Sequence, residues 1–133
     1  IQAAIGLAQL EQIDDFLAKK RQIARWYQEE LKDTPLEFQH EVGDIYHSYW
    51  MISVLMRSKE ERQQLRDYLK TEGIETRPTF PCIHQMPAYN QRFTSFPIAE
   101  DISSRGINLP SYPGLTETDV KTICDKIKVF YGK

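Results

Sequence analysis

Cysteine is scarce. Cys82 and Cys124 are the only two, and they sit in no metal or redox spacing. That excludes a disulfide scaffold and a thiolate cluster; a reduced, cytosolic protein is the simple reading. Basic charge is not in excess either: 17 Lys and Arg stand against 19 Asp and Glu. With no basic stripe, no nucleic-acid partner is expected. No apolar run approaches the ~20 residues of a membrane span, and no signal-peptide pattern opens the chain. There is no glycine-rich phosphate loop, no triad pattern, no low-complexity segment and no internal repeat. His40, His47 and His84 match no metal motif.

What is present is a single domain's length, 133 residues, enough to bury about two-thirds of its unfolded surface. Ile1 to Asp33 reads as one long helix, ended by Pro35, which lacks an N–H and disfavours helix in the residue before it. Ala3, Leu10, Leu17, Ala24 and Leu31 recur at heptad spacing, and Leu7, Ile13, Phe16, Ile23 and Tyr27 widen the line into an apolar stripe. Ile1 to Leu10 carries no charge; the first is Glu11. Such a segment is normally buried on all sides. It is expected either to dock on something outside this chain or to lie buried as an N-terminal helix.

Leu36 to His40 reads as a short extended piece and Gly43-Asp44 as a turn. Ile45 to Met56 is the best strand pattern, rich in Tyr, Trp, Ile and Val. Tyr46, Ser48, Trp50, Ile52, Val54 and Met56 are expected on its core face. Ser58 with Glu61 is a capping box. It opens a helix with Leu65, Tyr68 and Leu69 inward, stopped by Gly73. Ile74 to Arg77 reads as a second strand cut by Pro78, and Ile107 to Leu109 as a third. Pro97 starts a short helix that ends at Gly106. Thr116 caps the last helix, with Asp119 at its third position and Val120, Ile123, Cys124 and Ile127 inward. The fold class is α+β: a long N-terminal helix and a small, mostly antiparallel three-stranded sheet covered by helices.

Thr79 to Ser95 has no periodicity, and a loop that long in a compact domain is more often functional than idle. Cys82 and His84 lie in it, two residues apart, but nothing there makes a thiol meet a base. Arg77, fixed by Pro78, leaves two readings open: an anion-binding guanidinium, or a surface arginine with an acidic neighbour. Cys124 reads as a small core residue.

The order of segments resembles one known family. IQAAIGLAQLEQID, YHSYWMISVLM, LKTEGIETRPTFPCIHQMPAY and FPIAEDISSRGINLPSYPGLTETDV, then the last helix, resemble in register the small C-terminal domain of the DegT/DnrJ/EryC1/StrS enzymes. Those are pyridoxal-phosphate sugar aminotransferases. The GIETRP and RGINLPSYPGLT stretches are most similar to the perosamine-synthase branch, which aminates the 4-keto carbon of a nucleotide-linked 6-deoxysugar.

The resemblance implies that the Schiff-base lysine and most cofactor contacts belong to a large domain not contained in this chain. It also implies a homodimer with active sites between subunits, and a nucleotide-sugar substrate. His47, Arg77, Phe80 and His84 are the implied substrate contacts; no catalytic, cofactor or metal residue is expected here. Pyridoxal phosphate is expected in the longer protein and not on this chain alone, which is expected to be inactive. A sugar dehydratase of the same family and a stand-alone binding or dimerisation module are the alternatives.

Overall fold

The computed structural model describes residues 1–89 and 95–133. The N-terminal stretch is two helices, α1 (Gln2–Leu10) and α2 (Ile13–Glu30), where one was expected. The break falls at Glu11-Gln12 with neither glycine nor proline. Gln12 N donates to Gln9 O at 3.2 Å, a tightened turn, and its side-chain amide donates to Ala8 O at 3.2 Å. The helix thus closes on itself before α2 begins. No residue of α1 is buried, which overturns the buried-helix reading for this chain. The stripe of α2 does reach the core through Ile23, Ala24 and Tyr27.

Among the described residues the sheet has four strands, one more than expected. They are β1 (Glu37–Phe38), β2 (Ile52–Leu55), β3 (Arg77–Pro78) and β4 (Gly106–Leu109), in the order β1-β2-β4-β3, every pair antiparallel. The extended piece after α2 supplies the extra strand. The expected strand Ile45 to Met56 is correct only in its second half. Upstream, side chains take the N–H groups a ladder needs: Glu41 accepts from His47 N at 2.7 Å, and His47 Nδ1 accepts from Tyr49 N at 2.7 Å. Tyr49 then enters the left-handed region at φ 47°. Ile52, Val54 and Met56 are buried as expected, whereas Tyr46 and Trp50 stay 66% and 67% exposed.

The second strand is also displaced. Gly73 N donates to Lys70 O at 3.1 Å and Ile74 N to Leu69 O at 2.8 Å. That double closure, with Gly73 at φ 77°, spends Ile74 on ending the helix. The strand starts later, at Arg77, and tolerates Pro78 because it is an edge.

Helix α3 (Lys59–Thr71) is capped by Ser58 Oγ, which accepts from Glu61 N. Glu61 answers one residue further back, accepting from Arg57 N at 2.9 Å rather than from Ser58. Helix α4 (Pro97–Arg105) ends where β4 begins. Gly106 is there for space: a Cβ would lie 2.5 Å from Thr79 Cγ2 and 2.7 Å from Ile102 O. Helix α5 (Glu117–Phe130) carries a complete Thr116–Asp119 capping box. Ile52, Val54, Ile107 and Leu109 of the sheet share one core with Leu65 and Leu69 of α3, with α2, and with Val120, Cys124 and Ile127 of α5. No described helix is long and apolar enough to cross a membrane.

Candidate functional site

A groove of about 910 Å³ opens between the start of α2, the irregular segment before β2, the turn leading into β3 and the segment after β4. Phe16, Leu17, Trp50, Met51, Leu109 and Tyr112 make most of its wall apolar; Lys20, Glu75, Arg77, Asn108 and Ser111 supply the polar groups. A mostly apolar cleft with a few convergent polar groups is the usual form of a small-molecule site.

Two of the polar groups differ in what they can still do. Lys20 donates to Trp50 O at 2.9 Å, to Ser111 Oγ at 3.0 Å and to Ser111 O. An ammonium has three hydrogens, so it is spent on protein oxygens, and burial pushes its pKa down. It rivets α2 to the two flanking segments. Arg77 is the opposite case. Its side chain is 79% exposed, and among the described residues its one ion pair runs from Nε to Glu75 at 3.6 Å. The terminal fork faces no acid, so it can accept a carboxylate or phosphate. Both readings of Arg77 meet here: it has an acidic neighbour, and it lines a groove.

Of the expected substrate contacts, Arg77 lines the groove. Phe80 stands beside it, with its ring centroid 6.2 Å from that of Trp50. His47 lies behind the Trp50 segment: its carbonyl accepts from Arg21 Nη1 at 2.8 Å, and its ring packs 4.4 Å from Tyr49. His84, with a side chain only 10% exposed, bonds Glu100 Oε1 at 2.7 Å. Glu100 also accepts from Phe96 N and Ser95 Oγ, and the Phe96 bond, then His84, lowers its pKa. That cluster pins the Thr79 to Tyr89 stretch to the start of α4. Residues 90–94 of the same loop lie outside the described set. Neither histidine lines the groove. Cys82 is buried and unpaired with His84, and Cys124 is a buried core thiol pushed up to about 12 by burial. Among the described residues, no three His, Cys, Asp or Glu side chains converge as a metal site would need.

Trp50 and Lys20 were not singled out from sequence. Trp50 was hidden by the alternation that assigned it to the core. Lys20 looked like one more charge on a solvated helix face.

The arrangement suits a ligand with an apolar part and an anionic part. Comparison with known proteins gives that chemistry a context. Residues 1–128 match the model of the DegT/DnrJ/EryC1/StrS aminotransferase family. The chain is 49% identical over 130 residues to the GDP-perosamine synthase of Escherichia coli O157:H7, across 98% of this chain and 35% of that protein. It is 41% identical over 134 residues to the GDP-perosamine synthase of Vibrio cholerae, across 98% of this chain and 36% of that one. A solved DegT DnrJ EryC1 StrS aminotransferase from Brucella abortus matches with a TM-score of 0.88 at 28% identity, across 99% of this chain and 35% of that chain. The chain thus spans about a third of the length of the relatives it matches. One family model accounts for nearly all of its residues, and the chain belongs to the DegT/DnrJ/EryC1/StrS aminotransferase family.

Proposed function

We propose that this chain is the single small domain of a pyridoxal-phosphate-dependent nucleotide-sugar aminotransferase of the perosamine-synthase type, acting on a 4-keto-6-deoxysugar. The observation that carries the reading is 49% identity to a GDP-perosamine synthase, sustained over 98% of the chain. The groove supports it from the other side. Its exposed Arg77 fork matches the diphosphate of a nucleotide sugar, and Phe80, beside the groove against Trp50, adds apolar surface at its edge. His47 and His84 belong to the segments that border the substrate, and their bonds hold those segments in place.

The cofactor does not fit the donors of this groove. A Schiff-base lysine needs a free amine, yet Lys20 is saturated by Trp50 and Ser111. No aspartate lines the groove to face a pyridine nitrogen. This supports placing pyridoxal phosphate, which supplies the amino-transfer chemistry in this family, in the remaining two-thirds of the parent protein. The large domain and the second subunit of a homodimer are the proposed partners, and the cytoplasm is the proposed location.

The test is the full-length protein carrying this segment, assayed with a GDP-linked 4-keto-6-deoxysugar and an amino-acid donor. Formation of the 4-amino sugar is expected. A product that has lost the elements of water instead of gaining an amine overturns the reading.

A further inference from the structure

The β2–β4 ladder stops before its register requires it to. Its partners run from Leu55–Gly106 through Val54–Ile107 and Ser53–Asn108 to Ile52–Leu109. Just beyond Leu55, Met56 N donates to Arg105 O at 3.0 Å. In an antiparallel ladder, pairs that exchange hydrogen bonds alternate with pairs that do not. Met56 and Arg105 set the phase: Val54–Ile107 and Ile52–Leu109 are bonded pairs, and the next bonded pair would be Trp50–Ser111. It does not form. Trp50 O and Ser111 O, the two carbonyls that this pair would use, both accept from the Lys20 ammonium instead, the first at 2.9 Å. Ser111 Oγ accepts the third ammonium hydrogen at 3.0 Å. Among the described residues neither the Trp50 nor the Ser111 N–H finds an acceptor. Pro110 does not explain the stop. It would stand opposite Met51, in a pair that exchanges no hydrogen bonds, where a missing N–H costs the ladder nothing.

We propose that Lys20 is a positioning residue that acts as a wedge: by taking both carbonyls of the next pair it ends the β2–β4 ladder and holds the Trp50 segment and the segment after β4 apart as two walls of the groove. Lys20, Trp50 and Ser111 all line that groove. Hydrogen bonds from a charged donor are stronger than those between neutral groups, so the ammonium displaces the backbone N–H groups that would otherwise zip the strands. Remove it, and the two carbonyls regain each other's N–H as their natural donors. The ladder then advances by one bonded pair and this end of the groove closes. Lys20 acts through the backbone of Trp50 and Ser111 and touches no ligand. Its bearing on a substrate rests on the nucleotide-sugar reading; the wedge itself does not.

The experiment is residue-resolved amide exchange on this chain, in the wild type and in Lys20→Met, Lys20→Gln and Lys20→Arg. In the wild type the Trp50 and Ser111 amides should exchange fast beside the protected amides of Val54 and Ile107. In Lys20→Met both should gain protection, roughly two- to tenfold, the worth of one neutral hydrogen bond. A nuclear Overhauser contact between the α-hydrogens of Met51 and Pro110 should appear with it, because the non-bonded pair brings them together. Lys20→Gln, whose amide stops short of both carbonyls, should behave in the same way, and Lys20→Arg, which keeps charged donors on a long stem, should leave both amides open. A residue that merely props the fold would lose protection on removal, whereas a wedge gains it. In the full-length protein, Lys20→Met should lower kcat/KM for the nucleotide sugar by up to roughly a hundredfold, as a misplaced wall can. The loss should fall on KM, with kcat and the cofactor absorbance unchanged. The proposal is overturned if Trp50 and Ser111 stay open in Lys20→Met and Lys20→Gln, or if protection falls at Val54 and Ile107 as well. A longer ladder with an unchanged KM overturns the positioning role. None of these outcomes bears on the aminotransferase reading, which stands or falls with amination by the full-length protein.

Discussion

Arg21 grips Glu41 with both prongs of its guanidinium, Nη1 to Oε1 at 2.6 Å and Nη2 to Oε2 at 2.9 Å. The same Nη1 donates to His47 O at 2.8 Å, and the guanidinium carbon sits 4.1 Å from the centre of the Tyr46 ring. Glu41 in turn accepts from His47 N. One arginine on α2 thereby ties down a segment with no regular structure, and that segment carries Trp50 into the groove wall.

The clasp has a pH signature. The Arg21 bond, then the His47 N–H, holds the Glu41 carboxyl down at about 2, against an ordinary 4.5. A carboxylate with a depressed folded-state pKa contributes fully above its unfolded value and loses that contribution as pH falls through the folded one. The segment before β2 should therefore stay ordered down to about pH 4.5 and loosen between there and about pH 2. Amide exchange at His47, whose N–H donates to Glu41, should show that loss of protection in the wild type. In Glu41→Gln the His47 amide should be less protected, and its protection should not change across that window. Equal protection in the two proteins would show that the ion pair does not hold the segment.

Gly106→Ala should destabilise the fold by about 1–3 kcal/mol, the range for forcing a carbon into a packed position. The added Cβ meets the Ile102 carbonyl at 2.7 Å, and backbone cannot rotate away as a side chain can. Gly73→Ala tests a different cause. Nothing lies within 4 Å there, and only its φ of +77° is at stake, worth about 1–2 kcal/mol. Urea denaturation of both variants checks this. The Gly106 loss should shrink in the double variant with Thr79→Ser, and the Gly73 loss should not.

How far the sequence carries depends on how local each cause is. The Thr116–Asp119 box and the Gly73 stop are written within a few residues and could be read directly. Helix α5 also kept its expected inward face. Strand β2 was over-extended because Tyr46, Ser48 and Trp50 continue its alternation, while the groups that break the ladder, Glu41 and the His47 ring, act through side chains. The α1–α2 break has no glycine or proline to announce it. Lys20 was invisible as a structural rivet because Trp50 and Ser111 lie 30 and 91 residues away. For the candidate site, the place of Arg77 before Pro78 pointed to the groove it lines, whereas Phe80 came only with the family resemblance. Trp50 was not legible, since its exposure follows from Tyr49 turning left-handed.

Helix α1 should make this chain self-associate. Ile1, Ile5, Leu7 and Leu10 are each at least 60% exposed, and apolar burial is worth roughly 25 cal/mol per Å². Ile1 and Ile5 lie on one side of the helix and Leu7 and Leu10 on the other, so apolar surface is exposed on both sides, and exposed apolar surface marks docking sites. Sedimentation should show a concentration-dependent oligomer that Ile5→Glu with Leu7→Glu returns to monomer. A wild-type chain that stays monomeric at high concentration would count against it.

The central claim is that the Arg77 groove faces the nucleotide sugar. Steady-state kinetics of Arg77→Ala in the full-length protein tests it most directly. Losing a charge-assisted bond of about 1.5–3 kcal/mol should raise KM for the nucleotide sugar roughly ten- to a hundredfold. Absorbance of the bound pyridoxal phosphate should not change, and Arg77→Lys should recover only part, because an ammonium cannot fork. An unchanged KM in Arg77→Ala would reduce Arg77 to a surface partner of Glu75 and contradict the account.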